Sequence, residues 1–180
     1  MAGRATYADL WETIAADAGQ ESALWNAALR PREEQERAGV FSLLGEPRYA
    51  LGIETIYEGY LLHYGRTRLF APEDQDAALL LGDYLYAHGL VRIEEVGSVE
   101  AVSDLAELIA LCAYLRAEEI AGDGPVWAAT AAALGRGELD AGRSFLRLDN
   151  DPNPLERLAR ERAGDAAVDV ALATHRGRLR

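Results

Sequence analysis

Leu79-Leu80-Leu81-Gly82-Asp83-Tyr84-Leu85-Tyr86-Ala87-His88-Gly89 is the stretch on which the fold turns. It reads as an apolar helix carrying one acid and two glycines set seven residues apart. Seven residues is close to two helical turns, so both glycines share a face on which a second backbone can approach. Gly52 and Gly59 repeat that spacing upstream. An Asp beside a glycine signals one of two things. Either a helix crossing is made close by the missing side chain, or a carboxylate is aimed into a cavity.

Helical signals continue on both sides, and strand signals are nearly absent. Leu10, Trp11, Ile14 and Ala18 form one stripe of a helix from about Tyr7 to Asp17, interrupted by Gly19. A second helix starts near Glu21, carries Leu24, Trp25, Ala28 and Leu29, and stops before Pro31. Pro31 followed by Arg32, Glu33 and Glu34 predicts a fresh N-terminus, because proline suits the first helical position and acids suit the positive dipole end. That helix would carry Ala38, Phe41 and Leu44 and end at Gly45. Glu46-Pro47 opens the next, which runs to about Tyr64 with Gly65 as its cap.

Pro72 with Glu73, Asp74 and Asp76 starts the helix that contains the opening stretch. Ser98 is a natural N-cap for a helix carrying Val102, Leu105, Ile109, Cys112 and Leu115 as far as Ile120. Gly122 to Pro125 is a turn, Val126 to Leu134 a short alanine-rich helix, and Gly135 to Gly137 a break. Asp149 to Pro154 is rich in turn formers. The expected fold is a single all-α helical bundle of roughly six to eight helices. Residues 1–148 form its body, and 149–180 a hinge followed by an Arg-rich C-terminal helix or a flexible tail. That tail carries six arginines against four acids from Leu155 onward, the reverse of the body.

Composition narrows the function. With 180 residues, 49% hydrophobic and 27% charged, the chain can build one packed core and is too short for two ordinary domains. A net charge of −12 argues against nucleic acid as a partner. All 18 basic residues are arginine, so lysine Schiff-base chemistry and a P-loop are both excluded. The single cysteine, Cys112, rules out an internal disulfide and falls at an apolar helical position, as a small core residue would. No run approaches the roughly 18 apolar residues of a membrane span, and Met1 to Asp9 holds no apolar signal core. The expected location is the cytoplasm.

The helix Ile53 to Tyr64 is the richest candidate for a site. Glu54 and Glu58 share one face, and Tyr57, Tyr60 and Tyr64 form a stripe of their own, followed by His63. A tyrosine-lined cavity with carboxylates above it would suit a ligand with an apolar body and a polar or cationic head. The alternative is a solvated Glu face with tyrosines packed at the edge of the core. Asp83 and Tyr84 complete the candidate set. No Glu-x-x-His pair supports a carboxylate-bridged metal centre, and the calcium-like Asp149-x-Asp151-x-Asn153 fails at its sixth and twelfth positions, Pro154 and Arg160. No Gly-x-Ser-x-Gly elbow is present. Neither a metal nor any other cofactor is expected.

Leu81-Gly82-Asp83-Tyr84-Leu85-Tyr86-Ala87 resembles part of the trans-polyprenyl diphosphate synthases, in which a helix of the Leu-x-Gly-Asp-aromatic-Leu kind lines an all-α core. It is also similar to the non-catalytic small subunit of two-component heptaprenyl diphosphate synthases, whose helix reads Ala-Gly-Asp-Tyr. The likeness spans about Ile53 to Glu118. It implies a shortened isoprenoid-synthase-like core. The Asp-rich motifs that hold magnesium in the catalytic members are missing here, as is the lysine for a second diphosphate. What the resemblance implies is therefore an accessory member and not a prenyltransferase. The leading expectation is a non-catalytic accessory or interaction subunit, partnered by a prenyl synthase chain or by another copy of itself. The second is a small-molecule-binding or enzymatic bundle using the Tyr/Glu helix. The two differ in what that helix faces.

Overall fold

The computed structural model describes residues 7–180. They form an all-α, single-domain bundle of nine α-helices with no strand among the described residues. In order these are α1 (Tyr7–Glu21), α2 (Ala23–Ala27), α3 (Ala50–Tyr64), α4 (Gln75–Val96), α5 (Val99–Ala117), α6 (Asp123–Ala132), α7 (Asp140–Asp149), α8 (Asn153–Ala163) and α9 (Asp165–Arg176). Asp74 caps α4 by accepting from the Ala77 amide at 2.8 Å, and Ser98 caps α5 through the Ala101 amide at 3.3 Å. No described helix is long and apolar enough to cross a membrane.

Helix α3 lies at the centre and is buried on nearly every side from Ala50 to Leu62, as an all-round apolar helix must be. Against it runs α4, antiparallel, through the two glycine pairs. Gly52 meets Gly89, and Gly59 meets Gly82. A Cβ on Gly59 would lie 2.9 Å from the Gly82 carbonyl oxygen, and one on Gly89 would lie 3.1 Å from that of Gly52. The matched seven-residue spacings are thus the two halves of a single close crossing.

The main core joins α3 to Leu105, Leu108 and Leu111 of α5, Val126 and Trp127 of α6, Leu155 of α8, and Val168 and Leu172 of α9. Cys112 is buried within it. A smaller cluster around Trp11, Ile14, Leu69, Phe70, Leu81 and Leu85 fills the other face, between α1, α4 and the 65–71 loop. The C-terminal residues close onto the end of α3. Arg66 donates its amide to the Arg178 carbonyl at 2.7 Å, and Arg180 donates to the Tyr64 carbonyl at 3.2 Å.

One expected helix is absent. In place of a helix ending at Gly45, residues 31–45 hold two short 3-10 turns, at Arg32–Glu34 and Ser42–Leu44, and a third, Pro47–Tyr49, leads into α3. Their polar groups have partners outside the segment. The amides of Val40 and Ser42 donate to the Glu54 carboxylate at 3.0 and 3.1 Å, and the Ala38 carbonyl accepts from Arg68 at 3.1 Å. Satisfied by buried charges on α3 and its loop, this backbone has no need of an internal ladder.

Candidate functional site

Glu54 and Glu58 do share a face, yet that face is neither solvated nor open. Both side chains are fully buried against Arg68, itself fully buried. Arg68 donates from Nη1 to Glu54 at 2.5 Å and from Nε to Glu58 at 2.9 Å. The remaining carboxylate oxygens accept backbone amides: Val40 and Ser42 on Glu54, Arg68 and Leu69 on Glu58. The guanidinium also lies 4.6 Å from the Trp11 ring and 5.0 Å from that of Tyr57. Burial works against the Arg68 charge, but the two glutamates outweigh it and raise its pKa further. With every oxygen engaged, this triad holds the 31–46 and 65–71 segments onto α3 and offers nothing to a ligand.

The tyrosine stripe is likewise filled. Tyr57 and Tyr60 stack at 6.1 Å, and the Trp127 ring crosses both edge-on at 5.0 and 5.5 Å. Phe41 stacks on Trp127, and the His175 ring packs against Tyr57, Tyr60 and Phe41. Burial raises the pKa of the Tyr57 and Tyr60 phenols, so both keep their protons.

Beyond this aromatic layer the polar groups converge. Tyr60 hydrogen-bonds to Asp123 through a short contact, and Arg116 donates to the Tyr60 hydroxyl from Nε at 3.0 Å and from Nη2 at 2.8 Å. The same Nη2 reaches Asp123 at 2.6 Å. Burial disfavours the charge on Asp123, but His175, the Tyr60 hydroxyl and Arg116 prevail and hold its carboxyl well below the usual carboxylate range.

His175 completes the chain. Its Nδ1 lies 3.0 Å from the Tyr57 hydroxyl, and its Nε2 lies 3.5 Å from Asp123 Oδ2, within ion-pair reach but without a hydrogen bond. An Nε2 lone pair facing an anion would be repelled, so a proton on Nε2 fits this geometry and leaves Nδ1 to accept from Tyr57. His175 is only 1% exposed, and its Nε2 faces the Asp123 carboxylate.

These groups stand on one side of a cavity of about 630 Å³ between the end of α5, the start of α6, α8 and α9. Leu115, Ile120, Pro125, Leu172 and Leu179 give it apolar walls; Arg116, Asp123 and His175 give it a polar corner. That size lies within the range of small-molecule sites, and so does the pairing of apolar walls with a few convergent polar groups.

The candidates read from sequence thus separate. Tyr57 and Tyr60 lie beneath the cavity and orient the groups that line it, but none of the eight lines it themselves. Glu54 and Glu58 belong to the buried triad. His63 is half-buried, stacked on Tyr86, with Nε2 3.2 Å from Asp83, which is 71% exposed. Asp83 therefore points away from the crossing that Gly82 makes. Tyr64 packs on Tyr60, while Tyr84 stacks on His88.

Sequence reasoning missed Arg116, Asp123 and His175. Asp123 sits in a glycine-rich turn and His175 in the Arg-rich tail, so neither stood out. The usable signal was indirect: phenols on an all-buried helix need hydrogen-bond partners. Among the described residues no three His, Cys, Asp or Glu side chains converge as metal ligands. No protein-family model, curated protein or solved structure matches the chain, so the resemblance of the Gly82-Asp83 segment rests on its own residues.

Proposed function

We propose that this protein binds a small, mainly apolar molecule in the cavity between α5, α6, α8 and α9, with a polar head at the Arg116–Asp123–His175 corner. One observation carries the reading: apolar walls and a convergent polar corner meet in one cavity of about 630 Å³. The rival reading, an accessory subunit packed on a partner chain, drew on the missing catalytic groups, the oppositely charged tail and the glycine-faced helices. The glycine faces are filled by α3 and α4 against each other, so the last of these supports no longer counts toward a partner.

The test is a titration of the isotope-labelled chain with octan-1-ol, followed by NMR. Amide shifts are expected at Ala121, Gly122, Gly124 and Leu172 to Arg176, and are expected to vanish in Ile120→Trp, which fills the cavity. Absent shifts, or shifts spread evenly over the surface, would refute the proposal.

A further inference from the structure

Resting on the cavity reading, we infer that α9 is a hinged strap that opens and closes the cavity, jointed at Gly164 and latched where residues 175–180 meet α3 and its flanking segments. Leu172, His175 and Arg176 of α9, with Leu179 just beyond it, make one wall. The end of α5, the start of α6 and Glu156 of α8 make the rest. Displacing α9 therefore removes that wall.

The joint is a single residue. Gly164 separates α8 from α9 with φ 86° and ψ 149°, a conformation essentially reserved for glycine. Its surroundings are open, since a Cβ there would meet no atom within 4 Å. The side-chain ties across it run from Arg160 to Asp165 at 3.3 Å and to Asp169 at 2.8 Å. Both acids are exposed, and ion pairs of that kind hold little.

Burial under the strap is thin. Four of the twelve residues of α9 are buried, Val168, Ala171, Leu172 and His175, against twelve of fifteen in α3. The rest of the hold is largely polar. His175 Nδ1 meets the Tyr57 hydroxyl at 3.0 Å, Arg178 Nη2 meets Glu36 at 2.6 Å, and the backbone bonds of Arg178 with Arg66 and of Arg180 with Tyr64 complete the latch. Water replaces each of these partners on release, so their net contribution to docking is small. The docked state also carries a cost. Arg178 is 6% exposed, and its Nε and Nη1 have no acceptor among the described residues. Release returns both nitrogens to water. An element with so few buried apolar contacts opens below the free energy of global unfolding. A ligand that touches α9 and the opposite walls together binds the docked state alone, and so draws the strap shut.

Native-state hydrogen exchange of the full chain in low urea, followed by NMR with and without octan-1-ol, tests this. The amides of Ala171, Leu172 and His175 are expected to exchange through one shared opening, at least about tenfold faster than those of Ile56 and Leu108, and with a smaller urea dependence. Gly164→Ala strains the joint without a steric clash, and is expected to speed the α9 amides while leaving α3 and α5 unchanged. Octan-1-ol is expected to slow the α9 amides. Exchange of α9 at the rate and urea dependence of α3 and α5 overturns the strap. So does residue-by-residue exchange with no urea dependence, or an equal effect of Gly164→Ala on all three helices. Octan-1-ol that shifts the cavity amides but leaves α9 exchange unchanged overturns the gating and spares the cavity. Octan-1-ol that shifts nothing refutes the cavity reading, and the gate falls with it.

Discussion

Replacing Arg68 with methionine removes the cation that faces two carboxylates with no exposed surface. Glu54 and Glu58 would each keep the backbone amides on one oxygen and lose the guanidinium contact on the other. Breaking a buried ion pair from one side costs about 3–5 kcal/mol, because the remaining charge is left without compensation. At about 2–4 °C per kcal/mol for a chain of this size, the melting temperature should fall by roughly 6–20 °C. Urea unfolding followed by circular dichroism measures the same loss directly. The origin of the loss is separable. Glu54→Gln and Glu58→Gln keep an acceptor for the amides of Val40, Ser42 and Leu69 but carry no charge. Added to Arg68→Met, they should recover much of the stability. A triple variant no more stable than Arg68→Met alone would refute the electrostatic account and assign the cost to lost packing on Trp11 and Tyr57.

Two further perturbations follow from particular contacts. Gly59→Val places a side chain 2.9 Å from the Gly82 carbonyl oxygen, so α3 and α4 must separate, at about 1–3 kcal/mol. Gly177→Ala meets nothing closer than 3.5 Å at a φ of −66°, and should stabilise by about 0.4–1 kcal/mol through the unfolded chain. A Gly59→Val midpoint that does not fall would sink the close-crossing argument, and a Gly177→Ala midpoint that falls would contradict the unfolded-chain account. Burial lowers the pKa of His63, with Asp83 opposing. The unfolded chain therefore takes up this proton first, and the His63 contribution is complete above about pH 6.5 and is lost as pH falls below it. An NMR titration should place the His63 midpoint below about 6.5, and a midpoint at or above that value would contradict it.

Local chemistry made much of the architecture legible. Helical periodicity, the caps at Asp74 and Ser98, and the paired glycine spacings depend on residues within a turn or two of one another. The all-α class followed from the chain alone, and the glycine spacings marked faces on which a second backbone could approach; packing decided that Gly52 meets Gly89 and Gly59 meets Gly82. The failure at residues 31–45 has the opposite cause. Proline and acids there encode a helix start, but the partners that override it, Glu54 and Arg68, are brought in by tertiary packing.

The candidate site divides along the same line. The sequence by itself determined which helix is rich in tyrosine and acid, and that no lysine or cysteine cluster carries chemistry. Which of eighteen arginines would meet Glu54 and Glu58 was not encoded locally, since any guanidinium satisfies the same carboxylates. Only the tertiary structure closed the Tyr57 stripe with Trp127 and placed His175 beside Tyr57 from 118 residues away. It alone left a cavity at the meeting of four helices. The physical reason is that a backbone pattern repeats every few residues, whereas a buried polar group takes whichever partner the packed core delivers.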